Sequence, residues 1–138
     1  MSLIGRNGPR FVLRAKFLEQ PLFKCIEAIL FFVRDIDGAA NWYAKLFNVE
    51  VQYENPMYAF IQGPEISIGF HPVDIKCPGG VGGTTVYWEV DNIEKTIKVL
   101  QDKGAILYRG PIQTSLGDQA AMLIDPFGCT IGLHQKIK

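Results

Sequence analysis

The decisive stretch is Ile26-Glu27-Ala28-Ile29-Leu30-Phe31-Phe32-Val33-Arg34-Asp35-Ile36-Asp37, because it recurs in kind 57 residues further on, where Val33 becomes Val90. The second version reads Val86-Tyr87-Trp88-Glu89-Val90-Asp91-Asn92-Ile93-Glu94. Each begins as a short β-rich apolar run and turns polar at once. Asp35 or Asp37 can cap a helix running from Asp37 to Phe47, with Ile36, Ala39, Ala40, Tyr43 and Phe47 on one face. The second helix extends to Lys103 with Ile93, Ile97 and Leu100 inward, and Gly104 suits its C-terminal end.

Three short strands follow each helix. In the first half they are Val49 to Tyr53, Tyr58 to Gln62 and Ile66 to His71, punctuated by Asn55-Pro56 and Gly63-Pro64. In the second they are Ala105 to Tyr108, Ala120 to Ile124 and Thr130 to Gln135, with breaks at Gly110-Pro111 and Asp125-Pro126-Phe127-Gly128. An internal repeat of this kind predicts an α+β fold: two βαβββ modules in tandem, forming a cupped mixed β-sheet with helices on the outer face. The modules cover 24–73 and 83–136, within one domain at 24–138, and the Gly/Pro stretch Asp74 to Gly83 links them. Residues 1–23 read as a separate basic arm, an extra helix or strap packing on the domain or on a second subunit. Met1-Ser2-Leu3 resembles an expression-vector remnant, and the arm lacks the apolar core and cleavage site of a secretory signal.

Composition narrows the function classes. The 138 residues are 48% hydrophobic and 20% charged, ample for a packed core. Fourteen basic and fourteen acidic residues balance, so net charge favours neither nucleic acid nor an anionic membrane. No apolar run reaches the ~20 residues that span a bilayer. Cys25, Cys77 and Cys129 have neither zinc-ligand spacing nor the even number of a disulfide framework. Cys25 and Cys129 fall at strand-like apolar positions, which predicts buried free thiols in a reducing cytoplasm.

The motif Val33-x-Asp35 before a helix carrying Trp42-Tyr43-x-x-Leu46-Phe47, closed by Asp125-Pro126-Phe127-Gly128-Cys129-Thr130-Ile131, resembles the vicinal oxygen chelate superfamily. The last segment is similar to that family's DPxGN turn, and the resemblance runs from about residue 24 to 136. The superfamily includes glyoxalase I, extradiol dioxygenases, methylmalonyl-CoA epimerase, fosfomycin-modifying enzymes and bleomycin-sequestering proteins, so fold alone leaves function open. Its enzymes hold a metal through His, Glu or Gln, His and Glu on the first, fourth, fifth and eighth strands. The resemblance places those positions at Ala28, Ser67, Thr85 and Gly132. Two of these have no donor side chain and two are neutral hydroxyls, which are poor sole ligands for zinc, manganese or iron. A register slip of one residue would offer Glu27 on the first strand and no matching set elsewhere. The expectation is a protein without metal or other cofactor.

Period-two alternation then defines the wall of the cup. Ala28, Leu30 and Phe32 face inward with Ser67, Gly69 and His71; Thr85, Tyr87 and Glu89 do so with Thr130, Gly132 and His134. Tyr58, Phe60, Phe32 and Tyr87 are the aromatic contacts, and Gly69 and Gly132 leave two small gaps. This wall suits an apolar or aromatic small molecule. His134 is expected level with Tyr87 and near Glu89, where the pair would make a weak base; His71 is the other candidate for proton transfer. Alternatively, the histidines are strand-end residues and Glu89 a solvated rim carboxylate. Trp42 and Trp88 pack between helix and sheet. Gly79-Gly80-Val81-Gly82-Gly83 lacks the lysine of a phosphate-binding loop and reads as a hinge.

Two functions remain. One is a metal-free binding protein, similar to the bleomycin-resistance branch, acting as a homodimer on a small-molecule ligand. The other is a lyase, isomerase or dioxygenase using His134, Glu89 or His71, or a relocated metal. An effector-sensing module stays open as a third.

Overall fold

The computed structural model describes residues 22–137; the arm expected at 1–23 lies almost wholly outside them, and its last two residues, Leu22 and Phe23, are exposed. The first module contains β1 (Ala28–Val33), α1 (Ile36–Phe47), β2 (Gln52–Asn55), β3 (Tyr58–Gly63) and β4 (Ile66–Pro72). The second contains β5 (Tyr87–Glu89), α2 (Ile93–Asp102), β6 (Ile106–Gln113), β7 (Gln119–Ile124) and β8 (Thr130–Gln135). The two tandem βαβββ modules form two four-stranded mixed sheets, ordered β1-β4-β3-β2 and β5-β8-β7-β6. In each, the first strand runs parallel to the last and the other pairs are antiparallel.

The helices start where the repeat places them. The Asp35 carboxylate accepts from the Gly38 amide at 2.9 Å, and the Asn92 side chain accepts from the Lys95 amide at 3.0 Å. These equivalent caps each satisfy an amide left without an intrahelical partner. Asp37 instead sits in the first turn and accepts from the Tyr53 hydroxyl at 2.6 Å. α1 is capped by Asn48, whose φ of 55° is left-handed, and α2 by Lys103, followed by Gly104, whose φ of +103° suits a residue without Cβ. Ala39, Ala40, Tyr43, Ile93, Ile97 and Leu100 are buried, as their spacing requires. They pack on Ile61, Ile68, Phe70, Ala121, Leu123 and Leu133, the outer-face residues of the two sheets.

The helix side also joins the modules. The Trp42 indole donates to the Lys103 carbonyl at 2.9 Å, and the Phe47 and Trp88 rings meet edge-on at 5.0 Å. The Tyr43 hydroxyl donates to the Asp125 carboxylate, which also accepts from the Phe127 and Cys129 amides at 2.8 and 2.9 Å. The Asp-Pro-Phe-Gly turn is therefore an anchor between modules as well as a strand connector.

Three expectations need correction. Cys25 is exposed, because β1 begins only at Ala28; Cys129 is the buried thiol. The second strand is Gln52–Asn55 and not Val49 to Tyr53, since the Val49 amide closes α1 by donating to the Ala44 carbonyl at 3.0 Å. Gly110-Pro111 does not end a strand: β6 continues to Gln113, because Gly110 adopts a φ of +81° and the ladder absorbs irregularities on both sides of Arg109. In the linker, Gly79 lies close against β1: a Cβ there would stand 2.3 Å from the Phe32 carbonyl oxygen.

Candidate functional site

The face of each sheet turned away from the helices carries the expected residues in rows set by strand register. In the first sheet, Ala28 pairs with Ser67, Leu30 with Gly69 and Phe32 with His71. Across β3, Phe60 continues the Gly69 row and Tyr58 ends the row of His71. The side chains bear this out, for the His71 imidazole stacks on the Tyr58 ring at 4.3 Å and meets Phe32 edge-on at 5.9 Å. Leu30 and Tyr58 remain exposed.

In the second sheet, Tyr87 pairs with Gly132 and Glu89 with His134. Thr85 precedes β5, and its hydroxyl lies 2.9 Å from that of Thr130. His134 is thus level with Glu89, and Tyr87 with Gly132, two residues from the expected alignment of His134 with Tyr87. The His134 imidazole Nε2 stands 3.0 Å from the carboxylate of Asp118, a buried residue that also accepts from the Ile137 amide at 3.0 Å. The Glu89 carboxylate is exposed and pairs with Lys136 at 3.5 Å. His71 and His134 stand on different sheets.

Neither glycine leaves a gap. A Cβ on Gly132 would fall 2.5–2.7 Å from three ring carbons of Tyr87, and one on Gly69 would fall 2.6 Å from a Leu30 methyl. The neighbouring side chains already roof both positions, so strand alternation located the glycines correctly but not the space above them.

Two cavities border these faces. One of about 430 Å³ lies between β1, the linker and the start of β8, with Leu30, Phe32, Cys77, Gly80 and Thr130 in its wall. A larger one, about 610 Å³, covers the second sheet and is lined by Tyr87, Tyr108, Arg109, Ile112, Met122 and Ala120 among others. Sequence reading found Tyr87 and Thr85 of this wall and missed β6 and β7. Alternation carried back from Ile124 would have found Met122 and Ala120. The irregularities around Arg109 break that period in β6.

The chemistry of the four positions that resemble metal ligands is poor in donors. Ala28 and Ser67 are direct neighbours across β1 and β4, and Gly132 lies under Tyr87. Among the described residues no group of three or more His, Cys, Asp or Glu is placed to hold a metal ion. Two hydroxyls with no imidazole, thiolate or carboxylate do not fit a transition-metal centre.

Burial sets the titration of the residues beneath. The Tyr43 phenol is pushed far above its ordinary value by burial and by the neighbouring Asp125 charge. Burial also raises Asp125, against the lowering pull of its donors Tyr43, Cys129 and Phe127. It raises the Cys129 thiol too, which leaves that sulfur a poor nucleophile.

The profile of the glyoxalase/bleomycin resistance protein/dioxygenase superfamily matches residues 26–133. A search of curated proteins found no match. Among solved structures, the chain is similar to a glyoxalase/bleomycin resistance protein/dioxygenase family enzyme from Burkholderia phytofirmans PsJN, with a TM-score of 0.70 and 19% identity over 83% of this chain and 100% of that one. It is also similar to TnmS3, an antibiotic binding protein from Streptomyces sp. CB03234, at a TM-score of 0.68 and 21% identity over 86% of this chain and 100% of that one. The fosfomycin resistance protein FosX from Mesorhizobium loti gives 0.64 and 13%, over 84% and 95%. At such identities these structures show a shared fold.

Proposed function

Since the chain belongs to the glyoxalase/bleomycin resistance protein/dioxygenase superfamily, we propose that it is a metal-free member that binds a small apolar or aromatic molecule on its cupped sheet face. The observation that carries this reading is the 610 Å³ cavity over the second sheet, whose wall joins Tyr87, Tyr108, Ile112 and Met122. A space of this size, whose wall mixes aromatic and aliphatic side chains with polar groups, suits a compact organic ligand. The donor-poor positions Ala28, Ser67, Thr85 and Gly132 support binding without a metal. An antibiotic binding protein among the similar folds accords with it.

The functional unit in this reading is a homodimer. Leu30, Tyr58, Tyr87 and Ile112 are exposed on the inner faces, and β1 and β5 are edge strands, both features that proteins commonly cover by self-association. No described helix is long and apolar enough to cross a membrane. Free thiols at all three cysteines fit a reducing, cytoplasmic setting.

The test is a titration with N-phenyl-1-naphthylamine, an uncharged aromatic dye that brightens in apolar surroundings. Saturable binding that Ala120→Trp abolishes supports the proposal; binding indifferent to Ala120→Trp contradicts it.

One observation favours a second reading, an enzyme that moves a proton. Asp118 holds His134 Nε2, as an oriented general base requires, and Ala120, the partner of His134 across β7 and β8, lines the cavity. In that case Asp118, and not Glu89, is the positioning carboxylate. Under the enzyme reading, His134→Gln lowers turnover about a hundredfold or more; under the binding reading it changes dye affinity by no more than about one hydrogen bond, ~1 kcal/mol.

A further inference from the structure

Three strands of the second sheet form a row across the cavity floor: Arg109 on β6 faces Met122 on β7, which faces Gly132 on β8. Tyr87 on β5 completes the row, with its ring over Gly132. An aromatic ring, a thioether and a guanidinium thus stand in line on one face. Arg109 lies between the two irregularities of the β6–β7 ladder, a device that re-aims a side chain.

Among the described residues Arg109 is the one charged member of this cavity's wall; the others are glycine, aliphatic, thioether, aromatic or hydroxyl side chains. Two carboxylates of this module are paired with other groups, Glu89 with Lys136 and Asp118 with His134. Among the described residues no ion pair is made by Arg109. Arg109 is exposed, and its guanidinium presents five donors in a fixed fork that matches a carboxylate or sulfonate.

We infer that the cavity over the second sheet is selective for organic anions: an apolar or aromatic body resting on Tyr87, Ile112 and Met122, with one acidic group against Arg109. This rests on the proposed binding role of the cavity and adds the charge class of the ligand.

The test compares two dyes that differ only in an acidic group, 8-anilinonaphthalene-1-sulfonate and the uncharged N-phenyl-1-naphthylamine. Each is titrated into wild type, Arg109→Gln, Arg109→Lys and Ala120→Trp, with circular dichroism to check folding. Arg109→Gln is expected to weaken the sulfonate about tenfold, the scale of one charge-assisted hydrogen bond, and the neutral dye less than about twofold. Arg109→Lys should recover part of the loss, and Ala120→Trp should remove both dyes. Equal effects of Arg109→Gln on the two dyes would overturn the inference while leaving the cavity's binding role intact. Loss of sulfonate binding in Arg109→Gln but not in Ala120→Trp would place the anion outside the cavity and overturn it as well. Failure of wild type to bind either dye would overturn the binding role, and this inference with it.

Discussion

The Tyr43 hydroxyl, on the helix of the first module, donates to the carboxylate of Asp125, 82 residues away in the last turn of the second. Both groups are buried, so the bond ties the modules where water cannot replace it. Tyr43→Phe leaves the carboxylate one donor short and should destabilise the protein by about 1–3 kcal/mol, read by chemical denaturation.

The same pair gives a pH dependence of definite sign. Asp125 has a raised value in the folded state, so its contribution is complete below the ordinary 3.8 and is lost as pH rises through the folded value. Melting at pH 4.5 and pH 7 should therefore show wild type gaining on Asp125→Asn at the lower pH. The Tyr43 phenol is also raised, so its contribution is intact below the ordinary 10.0 and declines above it. Wild type should lose stability relative to Tyr43→Phe above that pH. An unchanged difference across either window would contradict the assignment.

His134 has a structural duty whatever its chemistry. It is one of the partners of a buried carboxylate, Asp118, and His134→Ala removes that partner. The expected loss is about 1–3 kcal/mol of stability. A His134→Ala protein as stable as wild type would show that the imidazole is not engaged with Asp118.

Tyr87 and Gly132 are coupled by contact, since any Cβ at position 132 meets the Tyr87 ring. Gly132→Ala should destabilise by about 1–3 kcal/mol through overpacking. Adding Tyr87→Ala should relieve most of that loss, and a double-mutant cycle measures the coupling. Strict additivity would mean that the ring does not roof the glycine.

Much of this was legible in the sequence, for reasons particular residues make plain. The 57-residue recurrence gave two modules, because Asp35 and Asn92 are equivalent caps and Val33 and Val90 equivalent strand ends. Strand alternation assigned Leu30, Phe32, His71 and Tyr87 to one side, because one face of each sheet packs on a helix and a slip would bury the wrong set. Three things were beyond reach. The bulged path of β6 hid Arg109 from any period-two count. The Asp118–His134 pair joins a turn to a strand by tertiary contact, which residue spacing does not encode. Glycine positions predict a missing side chain, whereas the neighbours that fill the space, Leu30 and Tyr87, are set by packing.

The proposed homodimer rests on the exposed apolar side chains of the inner faces. Light scattering at tens of micromolar should return twice the mass of the chain. A monomer at that concentration, with and without residues 1–22, would refute self-association.

The central claim is that the cupped face binds an organic molecule without a metal. Its most direct test is metal analysis of protein purified without chelator, with N-phenyl-1-naphthylamine titrated into the same sample before and after EDTA. The expected result is metal far below one per chain, with a dye affinity and melting temperature unchanged by the chelator. Stoichiometric zinc, manganese or iron whose removal lowers the melting temperature or abolishes dye binding would contradict it.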